Sequence, residues 1–200
     1  MKRKFWIFLA FWMSLLVMAT GCQMLNPPYT LRGARIEPPP RAADFTLTAQ
    51  DGKPFRLSEQ AGKVVLIFFG YTACPDVCPT TMATLKKVRA AAQAKERVQV
   101  VFITVDPERD TSERLGVYMS NFDATFVGLT GTNDQLDVVW KAYGVYHAKQ
   151  PSASAASYTV DHSAYIYAID ARGNLRETFS FDDAADKITQ DVNYLLSEKP

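Results

Sequence analysis

Cysteine and histidine are scarce in this sequence, which has three of the one and two of the other in 200 residues. Any site built from them is small, so the place of each one matters. Charge of either sign is not in excess: the net charge is +1. That removes the basic surplus with which a nucleic-acid-binding protein holds phosphates, and long-range steering of a strongly charged partner is not implied. Residues 5–19 form an uncharged run, shorter than the ~20 residues of a comfortable membrane-spanning helix. Internal repeats and coiled-coil heptads are absent. What remains is ordinary for one globular domain with an appendage, at 48% apolar and 22% charged residues.

The appendage is N-terminal. A basic "MKRK" precedes the apolar run, and "TGCQ" follows it, which is the layout of an export signal. Gly21-Cys22 looks like the end of a bacterial lipobox, with Cys22 as the lipidated residue of a lipoprotein. Ala19 stands where that motif usually has leucine. An uncleaved signal anchor reaching Leu25 is the alternative. Either way the remaining chain is expected outside the cytoplasm and held to a membrane. Residues 1–22 are thus read as signal peptide. Residues 23–41 are read as a proline-rich tether, because they hold Pro27, Pro28, Pro38, Pro39 and Pro40 without sustained periodicity. Residues 42–200 are read as the folded domain, with "SASAAS" at 152–157 as a flexible loop.

Within that domain, Asp51-Gly52 sits between two short extended runs and signals a hairpin. "KVVLIFFGY" and "RVQVVFITV" are apolar throughout, as strands covered on both faces are. Residues 80–95 carry Met82, Leu85 and Val88 on one helical side. Helical spacing recurs in Leu115, Tyr118, Met119 and Phe122, and again in Leu136, Val139, Trp140 and Tyr143. "HSAYIYAID" and "LRETFSF" read as two strands joined by a turn. Ile188, Val192, Leu195 and Leu196 close the chain as an amphipathic helix. Crossover helices between buried strands imply a parallel core covered on both faces. The expected fold is an α/β, thioredoxin-like sandwich with a central mixed sheet and an N-terminal hairpin.

If Cys22 carries lipid, the remaining cysteines form an even pair, Cys74 and Cys78, able to close a disulfide in an oxidising compartment. In "FFGYTACPDVCPT" they lie where a buried strand gives way to a helix, the end of the sheet where α/β proteins gather reactive groups. Pro75 pushes Cys74 toward extended backbone, and Pro79 suits a first helical turn. Cys74 is therefore expected in the loop and Cys78 at the helix N-terminus, whose dipole favours a thiolate. A redox dithiol usually has two residues between its cysteines, and this pair has three. The wider gap suits holding an ion as well as forming a disulfide. Buried unreactive thiols or a static disulfide are the plain alternative.

His162, in "TVDHSAYIY", enters a strand whose preceding loop faces the cysteine loop in a thioredoxin-type sheet. Thioredoxins have a cis-proline there, and this chain has Asp161-His162-Ser163. Two sulfurs and one imidazole make a soft three-coordinate set suited to Cu(I) and tolerable for Cu(II). Zinc wants a fourth ligand, which Asp76 or Asp161 could supply. Taken alone, His162 reads as a strand-edge histidine without a ligand role; beside the cysteine pair it reads as the third donor. His147, beside a loop, is expected to be solvated.

"GYTACPDVCP", "VDPERDT" and "DHSAYIY", in that order, resemble the Sco/SenC copper proteins, which assist assembly of cytochrome c oxidase. The resemblance covers residues 42–197. It implies a thioredoxin-like fold, copper held by Cys74, Cys78 and His162, and delivery of copper to oxidase subunit II or reduction of its cysteines. Many relatives have a polar residue where Ala73 stands. In "VDPERDT", Asp110 is expected to cap the next helix with Glu113 as its partner. Asp106 stays open between local structure and a carboxylate near the site, and neither aspartate is expected to bind copper.

The expectation is a membrane-tethered copper metallochaperone. Its rival is a thiol–disulfide oxidoreductase using Cys74 and Cys78 without metal; the three-residue spacing and the missing cis-proline argue against it. A peroxiredoxin-like peroxidase is a weaker option, since Tyr71 stands where a threonine would be needed. A structural lipoprotein would leave the donors without a shared role.

Overall fold

A computed structural model describes residues 29–151 and 158–198. The lipobox-like segment and the "SASAAS" loop lie outside them.

The two apolar runs form the middle of the sheet. Strand β4 (Val64–Gly70) is buried at every position and pairs in parallel with β5 (Val98–Thr104), Phe68 opposite Phe102. Burying one such side chain contributes about 1.5–3 kcal/mol, so this pair of strands dominates the core. β6 (Val127–Thr130) adds a third parallel strand beside β5. The hairpin of β2 (Thr46–Ala49) and β3 (Pro54–Arg56) pairs antiparallel on that side. Its turn needs Gly52, whose φ is +80°. On the other side of β4 run β9 (Tyr165–Ile169), β10 (Leu175–Ser180) and the short β1 (Ala34–Arg35), all antiparallel. Among the described residues the sheet has eight strands, in the order β1-β10-β9-β4-β5-β6-β2-β3.

Helix α1 (Val77–Ala91) buries Met82, Leu85 and Val88 as the spacing predicts, and it packs against α4 (Ala185–Ser197). Helix α2 (Ser112–Ser120) brings Tyr118 to 5.6 Å from Phe102, between ring centres. Successive strand residues face opposite ways, so Phe69 faces the other side. There it meets Tyr143, at the end of α3 (Asn133–Ala142), and Tyr167 of β9. The result is the thioredoxin-like α/β sandwich expected from the sequence, with helices on both faces.

Three features differ from expectation. The folded unit begins at Leu31 rather than Ala42. Residues read as tether are part of it: β1 pairs with β10, and Arg41 bridges to Asn174. Short strands capture this segment through backbone bonds that its prolines do not block. β6 is a strand between two helices where the sequence reading has none. A separate hairpin, β7 (His147–Pro151) and β8 (Tyr158–His162), precedes β9. His162 therefore ends a strand of that hairpin instead of entering the main sheet.

Candidate metal centre

β4 ends at Gly70, and the loop that follows carries Cys74 before α1 begins at Val77. The loop folds on itself through the bond from Cys74 N–H to Tyr71 O, 3.2 Å. Cys78 is the second residue of α1 and fully buried, while Cys74 is half-buried. Pro79 is third in the helix, within the first turn, where no intrahelical acceptor awaits an N–H. The expected placement of both cysteines holds.

The expected charge state does not. The Cys78 N–H points at Cys74 Sγ, 3.4 Å away, so the loop sulfur occupies the helix terminus. The Cys78 thiol donates to Cys74, the backbone N–H groups of residues 76 and 78 add to it, and the Cys74 pKa falls to about 3. Cys78 moves the other way: the bond it gives Cys74 and its burial push its pKa up. The pair is one thiolate and one thiol, with the helix end serving Cys74.

His162 reaches this pair from 84 residues downstream of Cys78. Its Nε2 is 3.5 Å from Cys78 Sγ, and its Nδ1 is 3.0 Å from the Ser163 carbonyl oxygen. A carbonyl only accepts, so Nδ1 carries the proton and the Nε2 lone pair faces the sulfurs. Edge contacts with Tyr71 and Phe68, at 5.9 and 6.1 Å between ring centres, fix the ring. The ligand atoms of Cys74, Cys78 and His162 all lie within 4.8 Å of one another. Neither Asp76, Asp161, Asp106 nor Asp110 belongs to that group, so among the described residues it is S₂N. Such a set is soft, with room for one monovalent or divalent copper ion and no protein carboxylate to complete a zinc tetrahedron.

His147 lies opposite His162 in the hairpin register. It is half-buried against Trp140, 4.1 Å between ring centres, rather than solvated. Burial lowers its pKa. The "VDPERD" loop also departs from expectation. Thr111, not Asp110, caps α2, accepting from Arg114 N–H. Asp110 is fully buried and accepts from the Thr72 N–H and from the Thr72 and Thr104 hydroxyls. Burial raises its pKa. Asp106, 1% exposed, accepts from the Tyr158 hydroxyl at 2.7 Å and from Arg109 Nε. No spacing rule links Thr72 to Asp110 or Asp106 to Tyr158, because each pair meets only through the tertiary fold.

With this geometry in place, known proteins resemble the chain closely. The SCO1/SenC family profile matches residues 34–197. The mitochondrial SCO1 homolog of Mus musculus is 36% identical over 151 residues, covering 74% of this chain and 53% of that protein. The chain thus spans about half the length of that relative. The copper-bound structure of ScoI from Bradyrhizobium japonicum superposes with a TM-score of 0.71 at 37% identity, covering 78% of this chain and 99% of that one. Apo Sco1 from Thermus thermophilus gives a TM-score of 0.75 at 38% identity, covering 85% and 99%.

Proposed function

The chain belongs to the SCO1/SenC family, and on that premise we propose that it is a copper metallochaperone held at a membrane. Its cargo is one copper ion, Cu(I) or Cu(II), taken by Cys74, Cys78 and His162. The observation that carries this reading is the convergence of two sulfurs and one imidazole nitrogen within 4.8 Å from distant parts of the chain. Relatives solved with copper support the choice of metal.

Cys74 is ready as a thiolate. Copper displaces the Cys78 proton, so binding releases a proton and weakens in acid. His162 already offers the unprotonated Nε2, which needs no tautomer change. Three donors leave the ion open on one side. An acceptor thiolate enters there as one protein donor departs, and the ion passes without being free in solution. The acceptor is oxidase subunit II or another copper-accepting protein. Oxidation to a Cys74–Cys78 disulfide removes both sulfur donors and switches binding off.

The anchor lies in the N-terminal segment. Residues 1–22 act as the export signal, and Cys22 takes the lipid. Among the described residues no helix is long and apolar enough to cross a membrane. The lipoprotein relative from Bacillus anthracis supports this reading.

The test is transfer. The full chain is loaded anaerobically with one equivalent of Cu(I) and mixed with the metal-free copper domain of subunit II. Copper recovered on the acceptor supports the chaperone. Reduction of an acceptor disulfide without copper movement, by His162→Ala as well as by the parent, favours the oxidoreductase instead.

A further inference from the structure

The site is assembled from two pieces that do not hold themselves. One is the cysteine loop. The other is the β7–β8 hairpin, which is outside the main sheet, and a two-stranded hairpin is marginal in isolation. Both pieces are fastened to the same short loop after β5.

Asp110 takes the cysteine loop. Its carboxylate accepts the Thr72 N–H at 3.0 Å and the Thr72 hydroxyl at 2.6 Å, and Thr104 at the end of β5 holds it from below at 2.7 Å. Asp106 and Arg109 take the hairpin. The Tyr158 hydroxyl donates to Asp106, and Arg109 Nη1 donates to the Tyr158 carbonyl at 3.0 Å. The guanidinium lies over the Tyr158 ring at 3.7 Å and reaches the Tyr71 ring at 5.5 Å. Tyr71 in turn abuts His162. Glu108, in the same loop, pairs with Lys149 of β7 at 2.6 Å.

We propose that Asp106, Arg109 and Asp110 are positioning residues for the metal site. Asp110 sets the cysteine loop, and Asp106 with Arg109 seats the hairpin that presents His162. None of them touches the ion. Ligands are held in register by the partners behind them, and loss of such a partner typically weakens metal binding by about 10–100-fold. The assignment rests on the reading of Cys74, Cys78 and His162 as copper donors.

The experiment uses the full chain with Tyr158→Phe and Thr72→Val, each removing one hydroxyl. Asp106→Asn is added as the stronger change at the hairpin. Tyr158→Phe is expected to yield Cu(II) to a competing chelator about 10–100-fold more readily. Its sulfur-to-copper absorption shifts, while the metal-free Cys74 alkylation rate stays at the parent's value. Thr72→Val is expected to change that alkylation rate. Variants that hold copper with the parent's affinity and spectrum overturn the proposal. If Asp106→Asn fails to fold, Tyr158→Phe decides. In metal-free protein its His162 ring protons must move in the NMR spectrum, and unmoved signals also overturn the proposal. A parent that binds no copper refutes the copper reading, and the metal-free His162 and Cys74 readouts then decide the positioning claim by themselves.

Discussion

Gly70 and Cys78 are packed so closely that a Cβ on the glycine would lie 2.9 Å from the cysteine sulfur. The same Cβ would meet Phe102 at 2.9 Å and Phe68 at 3.0 Å. The last residue of β4 must therefore lack a side chain for the buried sulfur to sit under the metal position. Gly70→Ala is expected to cost about 1–3 kcal/mol as overpacking and to weaken copper retention by displacing Cys78. Urea denaturation with a copper competition assay checks both. A variant as stable as the parent and equally copper-retentive would refute the close fit.

Cys74 titrates at about 3 because the Cys78 thiol donates to it. A lowered pKa means the thiolate persists until the pH falls through that value. Alkylation of Cys74 is therefore expected to be nearly independent of pH from about 5 to 8, where an ordinary thiol, with a pKa near ~8.5, gains reactivity steadily. Cys78→Ala removes the donor and should return the profile toward the ordinary one. Mass spectrometry of the alkylated cysteines against pH is the check.

A second buried acid governs stability at a distance from the site. Glu177 and Asp191 are both fully buried, and they receive the backbone N–H groups of Arg32 and Gly33. Burial, then the charge of Asp191, pushes the Glu177 pKa up to about 8. The folded state thus holds a proton that the unfolded chain releases near its ordinary value, so stability falls as pH rises from about 5 through 8. The loss is on the order of a few kcal/mol at most. Glu177→Gln should flatten this fall, measured by denaturant midpoints at several pH values. A parent whose stability rises over that range would contradict the assignment.

What the sequence made legible follows from where the information is local. β4 and β5 announce themselves as continuous apolar runs, and α1 to α4 by their helical spacing. The cysteine pair and His162 stand out because other such donors are few. β6 is four residues of ordinary composition and has no local signature. β7 and β8 are mostly polar because they lie outside the main sheet and send only Val160 into the core, with Trp140, Tyr158 and Arg109 providing further hold. The roles of Asp106 and Asp110 depend on partners 52 and 38 residues away. The thiolate fell to Cys74 rather than Cys78 because the more deeply buried Cys78 keeps its proton and donates it to the loop sulfur, an arrangement spacing alone does not reveal.

The most direct measurement is an anaerobic copper titration of the full chain and of His162→Ala, followed by sulfur-to-copper charge-transfer absorption. The parent should saturate at one equivalent, and the variant should neither reach that intensity nor keep copper against a chelator. A variant that loads and holds copper as the parent does would contradict the three-donor site.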